Sequence, residues 1–144
     1  MIAVDTNLLV YAQRDEAPFH GAARKLIENL VDGNERWAIP WPCVHEFIGV
    51  VTRRALFIRP TPTPVALQTI RKFSELPHCE FLAEGDGHLD TLAELAIAGH
   101  ITGAAIHDAR IAAICIRHGV RELWSADRDF SRFPQIAVRN PLIT

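Results

Sequence analysis

Short apolar runs alternate along the chain with longer segments in which apolar residues return every three or four positions. The short runs are typical of buried strands in a parallel sheet, because such strands are covered on both faces. The longer segments show the spacing that places apolar side chains on one face of a helix. The predicted strands are residues 2–4, 37–39, 80–82, 122–124 and 136–138. The predicted helices are residues 18–32, 42–56, 64–76, 88–98 and 104–118.

Strands that alternate with helices predict βαβ units, and therefore an α/β fold whose parallel sheet of four to five strands has helices on both faces. The chain has 144 residues, the size of one domain that buries roughly two thirds of its unfolded surface. It contains no internal repeat, and the Pro-rich connector at residues 61–64 is too short to join two domains. We therefore predict a single domain over residues 1–144.

Composition narrows the class to soluble globular proteins. Apolar residues make up 49% of the chain, charged residues 22%, and the formal net charge is −2. No apolar run approaches the ~20 residues that cross a bilayer, and the first residues lack the basic start and cleavage site of a signal peptide. We expect a cytoplasmic protein without membrane contact. Because proteins that neutralise phosphates are usually basic, any nucleic-acid contact must come from local clusters or bound cations.

The three cysteines agree with a cytoplasmic location. Cys43, Cys79 and Cys115 are odd in number, widely spaced and without a CxxC pair, so a zinc site is not expected. Cys43 and Cys115 lie in apolar surroundings and are interpreted as small core residues.

Five acidic residues stand beside segments that are predicted to be buried. One ends the first strand, one borders the apolar stripe of the helix over 42–56, one lies early in the helix over 104–118, and two follow the strand over 122–124. Because the carboxyl ends of parallel strands meet at one edge of a sheet, we expect these side chains to converge there. In chain order they are Asp5, Glu46, Asp108, Asp127 and Asp129.

Each of these acids also has an ordinary structural explanation. Asp5 could cap a helix that starts after it, Asp108 could favour a helix dipole, and Asp127 and Asp129 could be turn residues. Glu46 could simply be solvated. Taken together, however, several carboxylates at one edge repel one another unless they hold protons or a divalent cation. Oxygen ligands favour Mg²⁺ or Mn²⁺ over Zn²⁺, and such ions assist phosphoryl chemistry by orienting water and stabilising charge on phosphate.

The ordered set of acidic motifs resembles the PIN-domain nucleases, and within them the VapC toxins of bacterial toxin–antitoxin pairs. The likeness covers essentially the whole chain, although each motif is short and residues 57–100 carry none. The motifs are Asp5-Thr6-Asn7, Val44-His45-Glu46-Phe47, His107-Asp108-Ala109 and Ser125-Ala126-Asp127-Arg128-Asp129-Phe130.

The resemblance implies a three-layer α/β/α sandwich, usually dimeric, that cuts RNA and is inhibited by a small antitoxin protein. It implies one or two Mg²⁺ or Mn²⁺ ions held by the catalytic quartet, with water attacking the phosphodiester. The quartet is Asp5, Glu46, Asp108 and Asp127. The auxiliary residues are Asp129, as a further acid, with Thr6 and Ser125 orienting ligands or water. Ser125 stands where the family often has Thr, and the serine keeps the hydroxyl group.

Arginines near these motifs leave two interpretations open. Arg53, Arg54 and Arg59 form the densest basic cluster. They could bind RNA phosphates beside the acids, or they could be a solvated helix end whose cations suit the helix dipole. The arginines that flank the acids in sequence, and could contact phosphate or pair with carboxylates, are Arg14, Arg110 and Arg128.

Aromatic residues near the motifs are interpreted as structural. His45 and His107 each precede a proposed ligand, and adjacent helical residues point about 100° apart. They are therefore flanking surface residues rather than co-ligands. Trp37 and Trp41 bracket the exit of the second strand, and we interpret them as core or dimer-packing residues.

Two other functions remain open on the sequence alone. Another carboxylate–magnesium nuclease, RNase H-like or specific for DNA structures, would use similar acids. A degenerate PIN module could instead act as an interaction scaffold, although all four acids of the quartet are present.

Overall fold

A parallel sheet of five strands forms the centre of the computed structural model, which describes residues 1–143. The strands are β1 (Ile2–Val4), β2 (Trp37–Pro40), β3 (Cys79–Leu82), β4 (Glu122–Trp124) and β5 (Val138–Arg139). Their order in the sheet is β3-β2-β1-β4-β5. Ile2 in β1 pairs with Trp37 in β2 and with Glu122 in β4. The first strand therefore lies in the middle, and the strand order reverses between β1 and β4.

Six α-helices flank the sheet and complete a three-layer α/β/α sandwich, which confirms the predicted fold. They are α1 (Thr6–Gln13), α2 (His20–Asp32), α3 (Trp41–Val51), α4 (Thr63–Ser74), α5 (His88–Ala98) and α6 (Ile106–Arg117). Helix α1 packs against α2 and α3, α3 packs against α4, and α5 packs against α6. Two 3₁₀ turns cover Gly103–Ala105 and Arg128–Arg132. Across residues 1–143, none of the helices combines the length and the apolar character needed to cross a membrane.

Helix α3 is shorter than the segment predicted over residues 42–56. It begins next to Pro42, whose missing N–H is tolerated in the first turn. At its other end, the carbonyl of Val51 accepts a hydrogen bond from the backbone N–H of Thr61 at 2.8 Å. The Thr52 hydroxyl also donates to the carbonyl of Ile48 at 2.7 Å. The predicted extension to residue 56 is wrong, because these contacts take over the carbonyls of the last turn.

Other predicted boundaries also differ from the structure: the helices predicted over 64–76 and 104–118 lie at Thr63–Ser74 and Ile106–Arg117, and the strands predicted over 37–39 and 80–82 each gain one residue. The helix predicted from residue 18 begins at His20, because Phe19 adopts a left-handed φ of 60°. The strand predicted over residues 136–138 lies at Val138–Arg139. Ile136 instead closes a turn, and its N–H donates to the carbonyl of Phe133 at 3.2 Å. An apolar side chain that fills the core from a turn has the same sequence signature as one in a strand.

The core lies between the layers and is made of the strands and the inner faces of the helices. Trp37 is fully buried and packs edge-on against Phe73, with ring centroids 5.5 Å apart. Trp41 is 38% exposed and contacts Phe81 and His45 at the surface, so the core interpretation holds for Trp37 alone. The cysteines predicted to be core residues are fully buried: Cys43 and Cys115.

Candidate active site

The carboxyl ends of β1 and β4 bring distant parts of the chain together at the point where the strand order reverses. Asp5 follows β1 directly and Ser125 follows β4 directly. The backbone N–H of Asp5 donates to the carbonyl of Trp124 at 2.9 Å, which joins the two strand ends. In open α/β sheets, ligands bind in the crevice beyond such a reversal. The fold therefore places the first and fourth acidic motifs at its natural binding position.

Four acidic side chains line one cleft of about 230 Å³ at this position, which we call the acidic cleft. They come from the end of β1, from α3, from α6 and from the segment after β4. They are Asp5, Glu46, Asp108 and Asp127. Thr6 and Asn7 contribute to the same wall. The structure thus brings together the quartet that the sequence motifs single out.

Asp129 lies outside the lining of the acidic cleft but close to its edge. Asp108, Asp127 and Asp129 can each offer one carboxylate oxygen such that the three atoms lie within 4.8 Å of one another. The backbone N–H of Asp129 also donates to Oδ1 of Asp127 at 2.8 Å. Asp129 therefore both adds a carboxylate at the rim and fixes its neighbour.

Asp5 is the most enclosed of the acids, at 5% exposure. Its Oδ2 accepts a hydrogen bond from the Ser125 hydroxyl at 2.7 Å. Its Oδ1 accepts one from the backbone N–H of Thr6 at 2.8 Å and a longer one from the Cys43 thiol at 3.5 Å. The bond from Thr6 caps helix α1. Asp5 is therefore both the N-cap of α1 and a member of the acidic cluster, and three donors fix its position.

Burial and mutual repulsion raise the pKa values of three of these carboxyl groups. Loss of solvent raises the pKa of Asp5, although its hydrogen bonds act in the opposite direction. Loss of solvent, and then the charge of Asp5, raise the pKa of Glu46. Asp108 reaches a pKa of about 6, first from burial and then from the neighbouring acids, Asp127 foremost. The cleft thus concentrates negative charge that the protein itself does not neutralise.

The fit of this cleft to a divalent cation follows from its donors. Within residues 1–143, none of the four acids that line it forms an ion pair with a lysine, arginine or histidine. Hard carboxylate oxygens without a basic partner are the ligands that Mg²⁺ and Mn²⁺ prefer. Raised pKa values are the expected signature of acids whose balancing charge comes from an ion. The residues present therefore suit a divalent cation.

A network of neutral side chains fixes the acids, and sequence reasoning identified only part of it. The Thr6 hydroxyl donates to Oε2 of Glu46 at 3.3 Å. Ser125 Oγ accepts from the backbone N–H of Asp127 at 3.0 Å. Asn7 bridges the two strand ends, since its Oδ1 accepts from the N–H of Ala126 at 3.2 Å and its amide lies 3.4 Å from Ser125 Oγ. The sequence assigned no role to Asn7, although its place in the first motif was the available signal.

Within residues 1–143, none of the arginines named from the sequence lines the acidic cleft, although Arg110 and Arg128 line clefts directly beside it. Arg14 donates to Thr61 Oγ1 at 3.0 Å and to the carbonyl of Arg59 at 2.7 Å. Arg110 pairs with Glu84. It lines a neighbouring cleft with His45 and His107, and that cleft shares Glu46 and Asp108 with the acidic cleft. The arginines that are absent from the acidic cleft lining include the basic cluster Arg53, Arg54 and Arg59.

The fold and the acidic cleft together define an α/β protein whose site suits a divalent cation. Comparison with known families gives the same class in more detail. The family model described as the PIN domain matches residues 2–136.

Curated relatives extend the match over nearly the whole chain. Ribonuclease VapC48 of Mycobacterium tuberculosis is 31% identical over 137 residues, which cover 95% of this chain and 94% of that protein. Ribonuclease VapC43 of the same species is 35% identical over 142 residues, with 99% and 96% covered. The chain therefore belongs to the PIN-domain family, and within that family to the VapC ribonucleases.

Solved structures show the same fold at lower sequence identity. The VapC20 toxin of Mycobacterium tuberculosis, described as cleaving the sarcin–ricin loop, has a TM-score of 0.71 at 18% identity, with 97% of this chain and 100% of that chain covered. VapBC2 from Rickettsia felis, solved with a promoter DNA fragment, has a TM-score of 0.69 at 21% identity, with 97% and 98% covered. These likenesses support the fold and not the details of the site.

Proposed function

We propose that this chain is the toxin of a VapBC-type pair and hydrolyses RNA phosphodiester bonds at the acidic cleft. The observation that carries the proposal is the meeting of Asp5, Glu46, Asp108 and Asp127 in one cleft without a basic partner among residues 1–143. The relatives named as ribonucleases support the reaction class.

The quartet would hold one or two Mg²⁺ or Mn²⁺ ions, with Asp129 as an auxiliary acid at the rim. When bound, a divalent cation supplies positive charge that acidifies water and offsets charge on the attacked phosphate. The protein holds the carboxylates in position. Asp5 is fixed by Ser125 and by the start of α1, and Glu46 is fixed by Thr6. Carboxylates that are already oriented lose little freedom when a cation and substrate arrive.

The partners follow from the same family. The Rickettsia felis structure is of VapBC2, and a toxin–antitoxin complex from Klebsiella pneumoniae matches over 98% of this chain. We propose a small cognate antitoxin for this chain, a homodimer as its assembled form, and the cytoplasm as its location. RNA is the proposed substrate, and its contacts must be local because the net charge is −2.

Cleavage mapping on total cellular RNA tests the reaction. The native chain is compared with Asp5→Asn, which removes a charge at nearly constant volume, and with the matched control Asp32→Asn, an exposed acid at the end of α2. We expect Asp5→Asn to lose at least about a hundredfold in rate, as for loss of a group that acts at the reacting centre. Asp32→Asn should cut like the native chain.

The same assay separates the alternatives. Excess chelator should stop cleavage, and Mg²⁺ or Mn²⁺ should restore it. Cleavage that survives in chelator would exclude the metal-dependent mechanism. Cleavage of single-stranded or branched DNA in preference to RNA would favour the other carboxylate nucleases. A native chain that cuts neither RNA nor DNA with either cation would point to the scaffold function.

A further inference from the structure

A second cleft opens beside the acidic one and shares Asp127 as a common wall. We call it the second cleft; its volume is about 480 Å³. It lies between the 3₁₀ turn Arg128–Arg132, strand β5 and the chain that joins them. Its size is in the range of pockets that hold small organic ligands, ~300–1,000 Å³.

Most of the lining of the second cleft is apolar. Phe130 and Ile136 are buried at its base and belong to the core, and Val138 is half-buried on β5. Pro134 adds a stiff exposed edge. An apolar lining with polar groups beside it suits a nucleobase, and unstacked bases of single-stranded RNA are commonly held against apolar and aromatic side chains.

Arg128 and Asn140 bring nitrogen donors to the lining of the second cleft, beside the polar groups of Ser125, Asp127 and Ser131. Oδ1 of Asn140 accepts from the backbone N–H of Leu142 at 3.0 Å, which orients the amide and leaves its NH₂ group to face other partners. The guanidinium of Arg128 forms no ion pair with any acid among residues 1–143, and its side chain is exposed. Both groups can donate to a ligand, so a ligand that contacts them must offer acceptors.

We propose that the second cleft binds one unstacked base of the RNA next to the cut phosphodiester and thereby selects the nucleotide at that position. The proposal rests on the proposed ribonuclease function. Among bases, guanine presents two adjacent acceptors, O6 and N7, on one edge, and arginine commonly recognises that edge. The expected occupant is therefore guanine. The charge of Arg128 also suits RNA, since the acids beside it would otherwise repel the phosphate backbone.

An apolar side chain of a protein partner is the competing occupant. It would use the buried floor but not the donors of Arg128 and Asn140. The two occupants therefore differ in whether removal of these donors changes nucleotide preference.

The test uses the full chain with Mg²⁺ or Mn²⁺ and a pool of single-stranded RNA that contains a randomised region, with both sides of every cut sequenced. Arg128→Gln removes the charge, and Asn140→Ser removes the amide donor while keeping a short acceptor for Leu142. Arg132→Gln is the matched control, because Arg132 is exposed on the same 3₁₀ turn and lies outside the lining. Thermal unfolding midpoints check that all variants fold.

We expect the native chain to enrich guanine at one position beside the cut. Arg128→Gln and Asn140→Ser should each reduce that enrichment about tenfold, the size of a lost base contact, and Arg132→Gln should keep it. A native chain that cuts RNA without preference at either flank would overturn this proposal but not the ribonuclease function. Variants that fold and keep the native preference, or that lose rate equally on all sequences, would also overturn it. A native chain that does not cut RNA overturns both proposals.

Discussion

Ser125 shows how much of the site depends on single neutral residues. Its hydroxyl donates to Asp5 and its oxygen accepts from the backbone of Asp127, so one side chain orders two acids of the quartet. Asn7 braces the same turn through the backbone of Ala126. A buried carboxylate without such donors would be both misplaced and more costly to charge.

Replacement of Ser125 should therefore show how the position of the carboxylates affects the cleavage rate, since it removes none of their charge. We expect Ser125→Ala to lower the cleavage rate about 10- to 100-fold, in line with loss of a residue that orients a metal ligand. Ser125→Thr keeps the hydroxyl and should retain most of the rate. The measurement is single-turnover cleavage at saturating Mn²⁺. If the alanine and threonine variants cut equally fast, the hydroxyl has no orienting role.

At the scale of elements, the segment after α3 is held by one arginine. Arg14 at the end of α1 donates to Thr61 and to the carbonyl of Arg59, and its guanidinium lies 4.3 Å from the centroid of the Phe57 ring. The same segment caps α3 through Thr61. Since α3 carries Glu46, this anchoring also supports one wall of the acidic cleft.

Loss of this anchor should expose the basic segment to protease. Trypsin cleaves after arginine, and we expect Arg14→Gln to be cut at Arg53 and Arg54 at least about tenfold faster than the native chain, because charge-assisted hydrogen bonds that close the segment are lost. Arg24→Gln is the control, since Arg24 makes only an exposed pair with Glu28. Mass spectrometry of the early fragments gives the rate at each site. Equal rates in the two variants would show that Arg14 does not hold the segment.

The elements also show what the sequence could and could not predict. Strands β1 and β4 match the predicted residues, because an apolar run between polar residues is a local signal. The end of α3 depends on a bond from Thr61, which no local pattern contains. The convergence of the acids followed from strand ends and motif order, whereas the second cleft depends on how a turn packs against β5. The sequence therefore predicts the chemistry of local motifs but not the tertiary contacts that shape the clefts.

For the molecule as a whole, the buried and mutually repelling acids of the acidic cleft lower the free energy of unfolding at neutral pH when no cation is present. Three of its acids have raised pKa values in the folded state, Asp108 at about 6. A raised pKa means that the folded chain binds a proton more readily than the unfolded chain. For Asp108, the contribution to stability is therefore fully present below the unfolded pKa of about 4 and is lost as the pH rises through about 6.

This repulsion predicts that a site mutation stabilises the metal-free protein. We expect Asp108→Asn in chelator to raise the unfolding midpoint at pH 7 by a few degrees, equivalent to about 1 kcal/mol after allowance for solvent screening at this half-buried group. Well below pH 4 the native and variant midpoints should converge, because the acid is then protonated in both the folded and the unfolded chain. Calorimetry across this pH range gives the difference. Asp32→Asn is the control, and a midpoint difference that does not depend on pH would contradict the assignment.

The Cys43 thiol is a natural infrared probe of the buried acid Asp5. The thiol is enclosed and donates to Oδ1 of Asp5, and burial keeps the pKa of the thiol well above its usual range, so the S–H group persists at neutral pH. The S–H stretch falls in an otherwise transparent part of the infrared spectrum, and its frequency follows the strength of this bond. Protonation of Asp5 or the arrival of an ion can thus be observed in the native chain, without an introduced label.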